Sequence, residues 1–341
     1  MTSRERVLRC LERNHPDRPP RHTWWLPIAE LEHGHEAIRA FKDQWPDDIA
    51  MPGVPVPALQ ALRQGDPYAA GGYVDEWGCE FENLQPGIIG EVKNPMLEDW
   101  SRLGDLKLPE ACLTVDVAAV NAACRASDKF LLSDAFPRPF ERLQFLRGAE
   151  NVYMDLGEDS PELRGLLARV HDLYRRELEL WATTDVDGLV FIDDWGSQDR
   201  LLISPAQWRE WFKPLYRDYI DIAHAAGKKC FMHSDGNISA IYEDLIEIGL
   251  DAVNSQLFCM DIGEIGRRHK GRIAFWGEID RQRILPYGSE DDARAAVRRV
   301  AEALYDPAGG VIAQFEFGAA CRLQNAHAVH DEWLRIATRQ S

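Results

Sequence analysis

Over residues 228–250 the pattern passes from a short apolar run through a polar tip to a helical period. Cys230, Phe231 and Met232 follow a helix-stopping Gly227, and a run this short and apolar predicts a buried strand of a parallel sheet. His233, Ser234 and Asp235 fall at the strand's carboxyl end, and Gly236-Asn237 supplies a turn. Ile241, Leu245, Ile246 and Ile248 then recur at helical spacing until Gly249. The unit is a strand followed by a helix, with polar side chains at the strand tip. In parallel α/β folds that tip carries the ligands.

The same reading along the chain gives eight strand candidates, near residues 22, 48, 130, 188, 229, 252, 273 and 311, with helical stretches between most of them. That period predicts one (β/α)₈ TIM barrel occupying residues 1–341 as a single domain. Thr2-x-x-Glu5 is a capping-box pattern, and Val7, Leu8 and Leu11 lie on one face of a helix expected to plug or flank the barrel. Ser204 reads as an N-cap with Pro205 at the first helical position. Residues 53–129 break the pattern, being rich in Gly, Pro and aromatics. They read as an insertion over the mouth between the second and third barrel strands. It is expected to contain a hairpin from Tyr73 to Val92 with its turn near Gln85-Pro86-Gly87.

Composition narrows the function. The chain has 341 residues, 45% of them hydrophobic, enough for a large core. A formal net charge of −17 argues against nucleic acid or an anionic membrane surface as partner. No apolar run approaches the ~18 residues of a membrane span, and the N-terminal segment lacks the apolar core of a signal peptide; the expectation is a cytoplasmic protein. The seven cysteines include no Cys-x-x-Cys pair, so they read as reduced thiols. With no Gly-x-Gly-x-x-Gly, phosphate-binding loop or serine elbow, no nucleotide cofactor is expected.

In a barrel, Asp193, Asp194, His233, Asp235, Asn254, Glu278, Asp280 and Glu316 would all reach strand carboxyl ends and meet at one mouth. Singly, a carboxylate after an apolar run is as readily a helix N-cap, and Asp280 and Asn237 suit that role. Together they would repel one another unless a cation or a basic substrate offsets them, or some take up protons. Trp24, Trp25, Trp77, Trp195 and Trp276 would lie on the same side, either as aromatic walls for a flat or methylated substrate or as core.

His233-Ser-Asp-Gly-Asn237, Asp193-Asp-Trp-Gly196, Leu202-Ile-Ser-Pro-x-x-Trp208, Asp244-Leu-Ile-Glu-Ile-Gly249, Phe275-Trp-Gly277 and Gly309-Gly-Val-Ile312 resemble the uroporphyrinogen decarboxylase superfamily. The likeness is to its methyltransferase-like branch and runs from about Asp75 to the C-terminus. The arginine clamp of the true decarboxylase is replaced here by Arg21-His-Thr-Trp-Trp-Leu-Pro-Ile, and an acidic mouth suits a polycarboxylate substrate poorly. In the superfamily's zinc methyltransferases the metal is held by His-x-Cys and a later cysteine. Here Asp235 and Glu316 stand in those positions. The resemblance therefore implies a divalent metal, such as Zn²⁺, on His233, Asp235 and Glu316, with Cys321 as the fallback third ligand. Oxygen donors would make that metal a harder Lewis acid.

Asp194, Asp235 and Glu278 are then the candidate catalytic groups. Trp25, Trp77, Trp195, Asn254 and Trp276 are the candidate contacts to a small-molecule substrate. A corrinoid protein is the partner the resemblance implies, and a homodimer its habit. Two other readings stay open: an acid–base decarboxylase, lyase or hydrolase using Asp235 or Glu278, and a barrel that binds without turnover, Asp235 serving only as a cap or partner of His233.

Overall fold

A computed structural model describes residues 1–339. Eleven strands are present among them: β1 (Arg21–Trp25), β2 (Ile49–Ala50), β3 (Gly71–Val74), β4 (Glu80–Asn83), β5 (Glu91–Val92), β6 (Phe130–Leu131), β7 (Gly188–Ile192), β8 (Lys229–Ser234), β9 (Ala252–Ser255), β10 (Ala274–Trp276) and β11 (Val311–Phe317). Six of them form a curled parallel sheet in the order β1-β11-β10-β9-β8-β7, and β2 and β6 form a separate parallel pair. A parallel bridge between Leu132 and Gly188 joins that pair to β7. On its other side the Asp48 N–H donates to the Arg21 carbonyl at 2.8 Å. All eight predicted strands exist, and helices cross between consecutive parallel strands.

Side chains alternate along each strand, and the alternation divides the core in two. Phe130, Leu132, Val190, Phe231, Ala252, Ala274, Trp276 and Ile312 point inward and form one cluster with Val7 and Cys10 of the N-terminal helix Ser3–Leu11. Their neighbours, such as Leu131, Leu189, Cys230, Val253 and Phe275, point outward into the layer of helices. The N-terminal helix therefore closes the amino end of the strands. Its anchor is polar: the buried Asp48 carboxylate accepts from Ser3 Oγ, Arg6 Nη1, Arg18 Nη1 and the Arg21 N–H at 2.6–2.8 Å. The Thr2 cap and the Ser204-Pro205 helix start form as the sequence predicts.

The region after β2 differs in detail from its prediction. Instead of one hairpin it holds a three-stranded antiparallel sheet, β3-β4-β5. The extra turn is set by Asp75, whose Oδ1 accepts from the N–H groups of Trp77 and Cys79 at 2.9 and 2.8 Å, and by Gly78 at φ +82°, a conformation glycine adopts at little cost. The stretch also ends in a regular helix, Val117–Ala126, capped by Asp116.

Candidate functional site

Strand parity decides which tip residues meet. On β8 the inward positions are Phe231 and His233, on β9 Ala252 and Asn254, on β10 Ala274 and Trp276, and on β11 Ile312, Gln314 and Glu316. His233 is the hub. Its Nε2 lies 3.4 Å from Asp194 Oδ1 and 3.4 Å from Asp235 Oδ1. Its Nδ1 lies 2.6 Å from Asn254 Oδ1. The Asn254 amide donates to the Trp276 carbonyl and, at 2.9 Å, to Gln314 Oε1. With its NH₂ committed, Asn254 must accept from His233 through oxygen, so the Nδ1 of His233 carries a proton and Nε2 faces the carboxylates.

Asp194, His233 and Asp235 can present ligand atoms all within 4.8 Å of one another. Ligands about 2.0–2.1 Å from a tetrahedral ion stand about 3.3–3.4 Å apart, which matches both 3.4 Å spacings around Nε2. Asp235 Oδ1 is buried without a hydrogen-bond partner, as a ligand oxygen awaiting a cation would be. These residues fit a divalent metal. Burial works against charge on His233, but Asp194 and Asp235 outweigh it and raise its pKa to about 9.

Glu316, the expected third ligand, lies outside this group, its Oε2 taken at 2.6 Å by Arg281 Nη1. Cys321 lies outside it too. Arg281 Nη2 grips Asp235 Oδ2, and Arg281 Nε stands 3.8 Å from Glu278. One guanidinium thus offsets three carboxylates and leaves Asp235 Oδ1 free to face His233. Arg281 is the functional residue that the polar strand tips do not point to; its one signal in the sequence is its place next to Asp280, just past the tip of β10. Burial pushes Glu278 up to about 8 against the pull of Arg281, with Asp235 and Glu316 adding to the rise. Its Oε2 has no partner.

The remaining candidates separate clearly. Asp193 points away from its neighbour Asp194; it accepts from the N–H groups of Phe140 and Glu141 and from the Tyr216 hydroxyl, capping the helix Pro139–Arg147. Asp280 caps the turn at Gln282 and Arg283. Trp24, rather than Trp25, faces the hub, its ring centroid 4.7 Å from that of His233. Trp25 alternates outward between Phe41 and Phe317. Trp195 is core, stacked on Phe140 at 4.0 Å with its N–H on Tyr216. Trp276 is enclosed beneath the hub beside His22 and Trp24. Trp77 lines a cavity of about 560 Å³ between the β3-β4-β5 region and the tip of β6. Arg138 and Glu141, also on its wall, tie that cavity to the hub, because the charge of Asp194 acts on Glu141 and that of Arg138 on Asp194.

The sequence model of the family described as Uroporphyrinogen decarboxylase (URO-D) matches residues 74–329. Among curated proteins none matches. Among solved structures, a methyltransferase from Methanosarcina mazei is similar with a TM-score of 0.67 and 16% identity, over 98% of this chain and 99% of that one. A 3-keto-D-glucoside 4-epimerase, YcjR, from E. coli is similar at 0.40 and 15%, over 67% of this chain and 86% of that one. The first likeness is one of fold; the second is too slight to carry an argument.

Proposed function

The chain belongs to the uroporphyrinogen decarboxylase family, and from that premise we propose that it is a metal-dependent methyltransferase or demethylase acting on a small molecule. The observation that carries this reading is the meeting of Asp194, His233 and Asp235 around one point, with the imidazole fixed by Asn254. The eight parallel strands, linked through the Leu132–Gly188 bridge and the Asp48–Arg21 bond, are read as a closed barrel that holds this point at its mouth.

A bound divalent ion, zinc being the natural choice for one nitrogen and two carboxylates, would supply a Lewis acid for the heteroatom that gives or receives the methyl group. The chain's own part is positioning and charge. Asn254 holds His233 in the tautomer that directs Nε2 outward. Arg281 holds Asp235 and screens Glu316 from it. Glu278, neutral below about pH 8, holds a proton beside Arg281 for a departing heteroatom. A corrinoid protein is the methyl-carrying partner that the family resemblance implies for this reading.

Metal analysis of protein purified without chelator tests it. About one divalent ion per chain is expected, lost in His233→Ala and Asp194→Asn. A wild-type protein that neither retains nor takes up Zn²⁺ would sink the mechanism. The buried, protonated Glu278 also favours a second reading, a lyase driven by proton transfer; activity that survives complete metal removal but falls in Glu278→Gln would select it.

A further inference from the structure

The cavity beside the hub has a charge problem of its own. Its wall carries Arg63, Arg138 and Arg142 against Asp75, Glu76, Asp134, Glu141 and Glu177. Two of the cations are already engaged: Arg142 pairs with Asp75 at 2.5 Å and Arg63 with Glu76 at 2.8 Å. That leaves Arg138 as the cation on a wall that also carries Asp134, Glu141 and Glu177, and its ion pair with Glu141 is a loose 4.0 Å. Among the described residues Glu177 has neither a hydrogen-bond nor an ion-pair partner.

Glu177 stands where a core residue should. In the helix Pro161–Ala182 the inward stripe runs through Leu163, Leu166, Leu167, Val170, Leu173, Tyr174, Leu178 and Trp181. Position 177, four after Leu173 and seven after Val170, continues that stripe. An unpaired acid there costs stability and is turned into the cavity with Tyr174. The accessible part of the wall also carries the half-buried rings of Tyr68, Phe136 and Phe145, beside Leu59, Pro67 and Ile89. Aromatic faces and a carboxyl group with no basic partner, which ionises when a cation is placed beside it, favour one class of ligand in common, an organic cation with little hydration.

We propose that this cavity is the substrate pocket and that the substrate is a small methylated ammonium ion, its cationic head held by Glu177 and the aromatic rings. The inference rests on the methyl-transfer reading only for what happens to the methyl group; binding does not depend on the metal. The pocket lies against Glu141 and Arg138, which border the hub, so a methyl group on the cation would lie on the route between them.

The test is titration calorimetry on chelator-treated protein with three probes of similar shape: phenyltrimethylammonium, neutral tert-butylbenzene and benzoate. The cation should bind about tenfold or more tighter than its neutral isostere. Glu177→Gln, an isosteric and neutral change, should remove about that advantage, while Glu210→Gln on the exposed surface should not. A preference for benzoate that Arg138→Gln abolishes, equal affinity for cation and isostere, or no binding of any probe would each overturn the proposal. A protein that binds the cation but no metal would overturn the metal reading alone, and the reverse result this one alone.

Discussion

The Nδ1–H of His233 donates to Oδ1 of Asn254 over 2.6 Å, and this bond decides what the opposite side of the ring can do. Asn254 cannot turn its amide over, because its NH₂ is held by the Trp276 carbonyl and by Gln314. Asn254→Ala should therefore lower Zn²⁺ affinity by about 10–100-fold, the usual effect of removing the outer partner of a ligating histidine. Competition with a chromogenic chelator measures this, alongside circular dichroism to confirm the fold. Unchanged affinity would mean that His233 does not act as a ligand through Nε2.

Arg281 makes the second prediction. It holds Asp235 and Glu316 directly and lies near Glu278. In Arg281→Gln these three acids lose the guanidinium between them and keep His233 as the remaining nearby cation, and the cost should be about 3 kcal/mol at pH 8. The sign with pH follows from which state holds protons. Burial already holds Glu278 and Glu316 above their unfolded values against the pull of Arg281; without the guanidinium both rise further, so the loss is small at pH 5 and grows as pH rises. Urea denaturation at both pH values measures the difference. A deficit that is equal at the two, or larger at pH 5, would show that Arg281 acts by packing alone.

Much of this was legible in the sequence, and the reason is parity. The apolar runs mark where each strand ends, so His233, Asn254 and Glu316 fall at strand carboxyl ends by position, and a strand's period of two then puts all three on one face. Parity also separates neighbours that the sequence places at the same strand tip: Trp24 faces the hub and Trp25 does not, and Asp194 meets His233 while Asp193 caps a helix. A one-residue uncertainty in where a strand begins exchanges the two faces. Arg281 was not legible in the same way. It lies in a loop after β10, where no period operates, and only the fold brings it to Asp235. The Asp75 turn escaped for a related reason, since its carboxylate bonds to local backbone rather than to anything the hydrophobic pattern records.

The amino end of the strands gives a third prediction, independent of chemistry at the mouth. Asp48 is buried and gathers Arg6, Arg18, Ser3 and the Arg21 N–H; burial raises its pKa, but these partners outweigh it and hold it below the usual range. Asp48→Asn would leave Arg18 with an amide for a partner and Arg6 with Asp17 as its remaining carboxylate, and should cost about 3 kcal/mol at pH 7. The native contribution is present above the unfolded carboxylate pKa and fades as pH falls, so wild type and variant should converge in acid. Convergence at high pH instead would contradict the assignment.

Glu177 offers the last prediction because its ordinary chemistry and its proposed role pull in opposite directions. Burial, with the charge of Glu76, pushes its pKa from 4.5 up to about 8. The folded state therefore keeps a proton that the unfolded chain releases. Stability attached to this group is complete below about pH 4.5 and is lost as pH rises towards 8. Glu177→Gln should remove that slope, making the variant more stable than wild type at pH 8 by on the order of 1 kcal/mol, after screening of a half-buried group, and equal to it at pH 4.5. Phenyltrimethylammonium should reverse the order at pH 8, because only an ionised Glu177 gains from the cation and the bound ligand stabilises the folded wild type. Thermal melts at pH 5 and 8, with and without the probe, separate the cases. A variant that is less stable at pH 8 without ligand would show that Glu177 already has a partner there, and the cavity would lose its vacant charge.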